Sequence, residues 1–511
     1  MGFFYVVLIF ICGMAVMIVE VLGTRLVAPF YGASLYVWAA LILVTLVGLA
    51  LGYWFGGMFA DRSPRLPVLL GIIAFAGFFI LLLPFIHKGI LLFFGAWGLE
   101  LGSLFSALVL FIPPMLLLGM VSPFCVKLLS SGEEHLGLTV GSIYGLSTVG
   151  GVIGVLLSTF VLIPLVGVRK VFVVVSIFLL LLSLVGWIIT RRSAGIVTAL
   201  ILLVAGGFAF SYHAPVPASD RITLVDKVDS PYGELKILDM GRNRCLMMDG
   251  VMQTASFKDR KVKPGDGLKH RYNMELLPYF NPRGRTALLV GLGGGLLVDL
   301  LSPYGFEFEM VEIDPRVVEL ARRYFDFDRD CAVGDGRYYL KTRNRKYDFV
   351  LLDALQGESL SSYLFTVEMF ELARSKLKPG GILAINSLGI PGKSKISDVI
   401  ANTLSEVFPH VIYYRSLEAD KPQLVTFFAS MEPLSLDDAE KYAKEKHVDF
   451  APFETFGELL AMVKTRRVPF APDSSVIITD DYNPLEGEWA KLSFLWRQET
   501  RKVFNDKFLY Y

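Results

Sequence analysis

The sequence predicts an α-helical transmembrane bundle of about seven spans, followed by a small antiparallel β domain and an α/β Rossmann-like domain. Three observations predict this. The 511 residues are 54% hydrophobic, with a mean hydropathy of +0.54, too apolar for an ordinary soluble chain. The excess lies before about Tyr212, where charges are sparse and apolar runs of about 17–25 residues recur. After about Pro217 the chain turns to mixed charge, frequent turn residues and short apolar runs. These shifts divide it into residues 1–212, 213–260 and 261–511.

The candidate spans are about 3–23, 36–59, 66–86, 103–126, 139–165, 170–190 and 195–211. The first is too long for a signal-peptide core and lacks a basic start and a clear cleavage site, so it is kept as a helix. Residues 87–102 read as a short re-entrant or interfacial piece, giving seven or eight spans in all. In a seven-span arrangement Arg62, Arg65, Lys127, Arg191 and Arg192 fall on one side. Arg25, Lys88, Arg169 and Lys170 fall on the other, with the soluble domain. That slight bias favours placing the soluble domain outside. The ligand argued below is intracellular and favours the cytoplasm, which carries more weight. The expected location is therefore a multi-pass cell membrane protein with a cytoplasmic soluble domain.

Small residues recur at four-residue spacing: Gly48, Gly52 and Gly56, then Gly141 with Gly145 and Gly150 with Gly154. They are expected to let helix backbones approach closely. Pro113 and Pro114 are expected to kink their helix. Glu20 is a carboxylate inside a span, which is costly. It reads either as a partner for Arg25 or as a polar site facing a cavity, suited to a cationic or amphiphilic substrate.

A net charge of +1 gives no general affinity for nucleic acid. The four cysteines lack the spacing of a disulfide framework or a zinc site, and no metal is expected.

In the soluble part, "ITLVDKV", "GELKILDM" and "RCLMMDGVMQT" alternate as short strands separated by "DSPYG" and "MGRN". "TALLVGLGGGLLVDLL" then reads as a strand, a glycine loop (Gly291, Gly293, Gly294, Gly295) and a helix. Glycines permit tight turns and close approach of backbone to a ligand, and the helix start supplies N–H donors. "FEFEMVEIDP" brings Glu312 to a strand end about 20 residues on, where an acid can accept both ribose hydroxyls. "CAVGDGRYYL" ends a short strand at Asp335 and Gly336, placed for an adenine amine. "YDFVLLD" ends at Asp353, and "LKPGGILAIN" reads as a turn and a fifth strand. Gly, Glu, Asp and Asp at successive strand ends line the carboxyl edge where open α/β sheets bind ligands. No GxxxxGK[ST] motif is present, so an adenosyl ligand without a phosphate chain fits better than a nucleotide. That order of motifs is the one found in S-adenosylmethionine-type transferases.

Here the chain resembles the spermidine synthase (polyamine aminopropyltransferase) family. The resemblance rests on "LMMDGVMQT", "VGLGGG", "VEIDPRVVELAR", "VGDGRYYL", "YDFVLLDA" and "LKPGGILA", in order across residues 221–390. The hydrophobic half resembles the membrane-fused branch of that family. The resemblance implies no tightly bound cofactor, decarboxylated S-adenosylmethionine as donor, and a putrescine-like amine as acceptor. It implies Asp353 as the catalytic acid, Glu312 at the ribose, Asp335 and Gly336 at the adenine, and Gln253 at the substrate. A homodimer and a lipid bilayer are the other expected partners.

The chain also departs from the family pattern. Gly294 stands where the family has an Asp holding the amino end of the donor, and Gln356 where it has an acid facing the acceptor. Gly233 replaces a Gln near "SPYG", and a basic "SFKDRKVKPGDGLKHRY" replaces an acidic segment. Both pockets become less negative, which raises intact S-adenosylmethionine as a donor, because the repelling Asp is gone. Asp480, Asp481 and Glu486 of "ITDDYNPLE" are candidate replacement acids for the acceptor site. Two alternatives stand beside aminopropyl transfer. One is methyl or other alkyl transfer from intact S-adenosylmethionine to a membrane-derived substrate. The other is a non-catalytic adenosyl- or polyamine-sensing module.

Overall fold

The computed structural model describes residues 2–130, 136–211, 221–258, 271–356, 359–360, 362–417, 420–436, 456–471, 473 and 476–504. The chain falls into two compact units, Met1–Pro215 and Val216–Leu509.

The first unit is helical: α1 (Gly2–Tyr31), α2 (Leu35–Arg62), α3 (Leu66–Phe94), α4 (Gly98–Gly119), α5 (Val121–Leu129), α6 (Leu136–Leu157), α7 (Ile163–Val166), α8 (Val168–Ile189) and α9 (Ser193–Ser211). Among the described residues, six helical runs are long and apolar enough to cross a membrane. The third of them, Leu66–Leu129, is 64 residues long. At about 1.5 Å per residue it is far too long for one pass. It breaks at Gly95–Trp97, where Gly98 takes a positive φ of 85°, and α3 then packs against α4.

The glycine contacts give the helix directions. A Cβ on Gly150 would strike Phe10, and one on Gly154 would strike Met14; Gly13 meets Ser147 and Gly151 meets Met17. Four residues further along α1 is four residues further along α6, so the two run parallel. Likewise Gly48 abuts Met115, Gly52 abuts Gly119 and Gly56 abuts Met120, so α2 and α4 are parallel. Both pairings require α3 and α4 to run in opposite directions, which makes seven helical runs of crossing length among the described residues.

Residues 87–102 are therefore no extra piece. They hold the end of α3, the break and the start of α4. Gly141 and Gly145 have nothing within 4 Å of a built Cβ, so the close packing expected of them is absent among the described residues. The Pro113–Pro114 pair sits inside α4, and the chain breaks only after Gly119. The Glu20–Arg25 pair is not formed. Five residues place the two side chains about 140° apart around a helix, and Glu20 has no hydrogen-bond or ion-pair partner among the described residues.

The second unit opens with an antiparallel sheet of β1 (Ile222–Asp229), β2 (Glu234–Met240), β3 (Asn243–Met248) and β4 (Val251–Phe257), in the order β1-β2-β3-β4. Its Leu235, Ile237 and Leu246 pack with Val317, Leu320 and Phe325 of the following domain. Two short helices, α10 (Arg271–Met274) and α11 (Leu277–Phe280), lead into the main sheet.

That sheet contains β5 (Thr286–Val290), β6 (Glu307–Glu312), β7 (Ala332–Val333), β8 (Tyr347–Leu352), β11 (Leu377–Gly389), β12 (His410–Arg415) and β13 (Gln423–Ser430); the tiny pair β9 (Leu355–Gln356) and β10 (Ser359–Leu360) stands apart. The order is β12-β13-β11-β8-β5-β6-β7. β11, β8, β5, β6 and β7 are mutually parallel, and β13 is antiparallel to both its neighbours. Helices α12 (Leu296–Leu301), α13 (Pro315–Tyr324), α14 (Gly336–Thr342), α15 (Val367–Lys376) and α16 (Ile396–Ser405) follow successive strands. Met369, Phe370, Ile400 and Leu404 cover one face of the sheet; Leu297, Leu301, Val318 and Ala321 cover the other.

All five strands expected from the sequence form. β12 and β13 were not anticipated, and "LKPGG" is an irregular start to β11 rather than a separate turn. The direction of connection reverses between β5 and β8, and at such a point the loops diverge and leave a crevice beyond the strand ends.

Candidate active site

The glycine loop follows β5 at that crevice. Gly291 has φ 91°, and any Cβ on it would collide with the Asp353 carbonyl. Only glycine therefore lets the β5 and β8 ends lie together. Gly293 and Gly295 are also left-handed, at φ 53° and 77°. At Gly336 a Cβ would strike Val290, so α14 starts tight against β5.

Glu312 ends β6 and is buried. Its Oε2 accepts the Leu292 N–H at 2.8 Å and its Oε1 accepts the Asp314 N–H at 3.0 Å. The carboxylate thus holds the glycine loop in shape and keeps further lone pairs for ligand hydroxyls. Burial pushes its pKa up, and these two N–H donors pull it back. Asp335 caps α14, accepting from Tyr338 N–H at 2.7 Å and from the Tyr363 hydroxyl at 2.8 Å. Both its oxygens are therefore engaged by the protein.

Asp353 is half-buried just beyond β8. Its Oδ1 accepts from Asn386 Nδ2 at 2.9 Å. Asn386 Oδ1 accepts in turn from Thr426 Oγ1 at 2.9 Å. Asn386 and Thr426 are buried, on the adjacent strands β11 and β13. A side-chain amide with both ends occupied has one orientation, so Asp353 is presented at a defined angle. Burial raises its pKa and the Asn386 hydrogen bond opposes the rise. Oδ2 has no partner among the described residues.

Several residues that the structure brings to this crevice were not legible in the sequence. Tyr232, in the β1–β2 turn, has its phenol pKa raised by burial and by the converging carboxylates Asp314, Asp335 and Glu312. It thus stands close to the ends of β6 and β7. Thr254 of β4 accepts the Gly294 N–H at 2.9 Å, so the small sheet grips the glycine loop directly. Gln253, beside it, is the extra residue of a β-bulge: Leu246 pairs with Thr254 and Met247 with Met252. Bulges re-aim side chains and cluster near active sites. The "SPYG" and "DGVMQT" stretches were visible, but not that they would close on the loop.

The changed positions acquire physical accounts. A Cβ at Gly294 would lie 2.6 Å from Thr254 Cγ2 and 3.0 Å from Phe325 Cδ1. Packing thus fills the position beside the Gly294 backbone, although the loss of negative charge stands. At Gly233 a Cβ would come 2.6 Å from Asp249 Oδ2, so this glycine lets the two sheet turns meet. Gln356 pairs through its backbone with Ser359. The basic segment 259–270 lies outside the described residues.

Asp480 is not poised for an acceptor. Arg337 grips it with two bonds of 2.7 Å, Thr366 donates to it at 2.8 Å, and the arginine holds its pKa below the usual range. Asp481 and Glu486 are exposed, the latter starting the helix Glu486–Val503. Asp480→Asn is therefore expected to leave turnover essentially unchanged. Its cost is about 1 kcal/mol at most for such a part-exposed pair, a fall in melting temperature of about 2–4 °C. Calorimetry together with an activity assay checks this, and a collapse of turnover would place Asp480 at the substrate after all.

The spermine/spermidine synthase domain family matches residues 270–438. A polyamine aminopropyltransferase 2 of Hyperthermus butylicus is 30% identical over 233 residues, covering 42% of this chain and 72% of that protein. A probable polyamine aminopropyl transferase of Bifidobacterium longum is 27% identical over 58% of this chain and 68% of its own length. A polyamine aminopropyltransferase 2 of Aquifex aeolicus is 22% identical over 86% of this chain and 89% of its own, a span that takes in apolar helices as well.

Proposed function

The chain belongs to the spermine/spermidine synthase family, and from that premise we propose that it is a membrane-anchored aminopropyltransferase. The donor is decarboxylated S-adenosylmethionine and the acceptor a primary amine of the putrescine type. The observation that carries this reading is the Asp353 carboxylate. It is anchored through one oxygen by Asn386 and is open at the other among the described residues, while the backbone carbonyl of the same residue abuts Gly291 of the glycine loop.

In this reading Glu312 accepts the ribose hydroxyls. The Asp335–Gly336 turn lies at the adenine, and Tyr232 covers the nucleoside. Gln253, re-aimed by its bulge, faces the acceptor. An alkyl amine has a pKa near that of lysine, about 10, and arrives as a cation. Asp353 attracts it, orients it and takes a proton. The freed nitrogen lone pair attacks the aminopropyl carbon, and the C–S bond breaks with its electrons going to sulfur. The sulfonium becomes neutral methylthioadenosine, and the new secondary amine leaves protonated. Placing nitrogen, carbon and sulfur in line is the main task of such a site. The seven apolar passes hold the enzyme in the membrane, with the second unit cytoplasmic, where the donor is made.

The test uses the purified full-length chain with each donor form against putrescine, cadaverine and spermidine, with products read by mass spectrometry. Methylthioadenosine release with one lengthened amine is expected. Release of S-adenosylhomocysteine from intact S-adenosylmethionine, or no turnover with any pair, overturns the reading.

A further inference from the structure

Asp353, Asn386 and Thr426 lie at one end of an otherwise apolar sheet face. Side chains alternate along a strand, so Asn386 shares a face with Ala384, and Thr426 with Phe428; Asp353, just beyond β8, follows Leu351 in the same way. Asn386 and Thr426 are paired residues of β11 and β13. Met274 of α10 packs in the same apolar cluster, and its neighbour Asn273 is fully buried. Asn273 Nδ2 donates to Thr426 Oγ1 over a long 3.5 Å. Thr426 Oγ1 donates to Asn386 Oδ1 at 2.9 Å, and Asn386 Nδ2 donates to Asp353 Oδ1 at 2.9 Å. Side chains from α10, β13, β11 and the end of β8 thus form one chain of hydrogen bonds that ends on the carboxylate.

The first member fixes its direction. A hydroxyl can send its single proton either way, whereas an amide nitrogen only donates. Facing Asn273 Nδ2, Thr426 presents a lone pair there and gives its proton to Asn386 Oδ1. Asn386 is then held with its nitrogen toward Asp353. The reversed amide would set oxygen against oxygen. Asn273 Oδ1 is buried and has no hydrogen-bond partner among the described residues. An unpaired buried oxygen is costly, so leucine would suit this place better if Asn273 only filled space.

We propose that Thr426 and Asn273 are positioning residues for Asp353, acting through Asn386 to keep an N–H donor on the carboxylate that receives the amine. The kinetic consequence rests on the proposed aminopropyl transfer; the hydrogen-bond chain does not. Burial disfavours the charged form of Asp353 and the Asn386 amide favours it; among the described residues no charged group shifts its titration. Weakening the Asn386 bond therefore raises the pKa of Asp353.

The test uses the full-length chain in nanodiscs and reads the acid limb of kcat/KM. Thr426→Val is expected to move that limb up by about 0.5–1 pH unit, part of what losing a whole hydrogen bond to a charge would give. Affinity for methylthioadenosine stays unchanged. Thr426→Ser keeps the hydroxyl and the limb. Asn273→Leu moves the limb the same way but less, because its bond is longer, while its melting temperature holds or rises as the orphaned oxygen is removed. The double variant shifts no further than Thr426→Val, since members of one network do not add. An unmoved limb in Thr426→Val or Asn273→Leu, an equal shift in Thr426→Ser, or summed shifts in the double variant overturns the proposal. The pKa of Asp353 is also read without substrate, from pH-difference infrared spectra of its carboxyl group with the Asp353→Asn spectrum subtracted. A raised value there in Thr426→Val upholds the positioning role even where no amine is turned over, an outcome that removes the proposed reaction alone. An unchanged value overturns the role even in an active enzyme.

Discussion

Asp353→Asn is expected to lower kcat by about 10²–10⁴-fold, the range for removal of a general base, while donor affinity changes little. The reasons are local. Asn386 donates to Oδ1, and the isosteric amide keeps that bond while losing the charge and the basic lone pair. The proposed function puts the donor contacts mainly in Glu312 and the glycine loop, so titration with methylthioadenosine should give near-normal binding. Loss of nucleoside binding in the variant, or full turnover, would remove Asp353 from the role. The pH profile supplies a second reading. Asp353 works only as a carboxylate, and burial raises its pKa. The acid limb of kcat/KM therefore lies above the ordinary aspartate range, and activity falls as pH drops through it. Asn386 stabilises the charged form, so Asn386→Leu moves that limb to still higher pH. A hydrogen bond to a charged group is worth about 1.5–3 kcal/mol, equivalent to about one to two pH units. A limb that stays in place would mean that Asn386 serves packing alone.

The second large effect is at Glu312. Glu312→Gln turns one acceptor oxygen into an amide donor, facing either the Leu292 or the Asp314 N–H. Two donors then oppose each other in a buried place, and charge-assisted bonds to the ribose are lost. At about 1.5–3 kcal/mol for a hydrogen bond to a charge, the KM for the donor should rise by about 10–150-fold. The fall in kcat should be much smaller than for Asp353→Asn. Because burial raises the Glu312 pKa, donor affinity in the unaltered chain weakens as pH falls through it, whereas the Gln variant loses that dependence. A variant whose kcat falls while KM holds would contradict the assignment.

The strand ends were legible because a buried parallel strand is a continuous apolar run, and its first polar residue marks the sheet edge. Gly291, Glu312, Asp335 and Asp353 could each be placed this way. Asn386 was hidden inside "ILAINSLG", an apolar run in which one amide gives no sign of what it faces. Tyr232 and Thr254 lie far along the chain from the loops they meet, so no local pattern marks them. Asp480 misled in the opposite direction: an acid beside another acid looked available, and Arg337, 143 positions away, occupies it. Glu20 and Arg25 are close in sequence yet diverge around a helix.

By itself, then, the sequence determined the apolar half, the order of strands around the glycine loop and the identity of the edge acids. Hydropathy and period are properties of short stretches, and these features need nothing more. Only the tertiary structure decided that Gly294 is filled by Thr254 and Phe325, that Asn386 orients Asp353, and that Arg337 holds Asp480. Each of those is a contact between distant segments or a direction around an axis, and such relations come into being only when the elements pack.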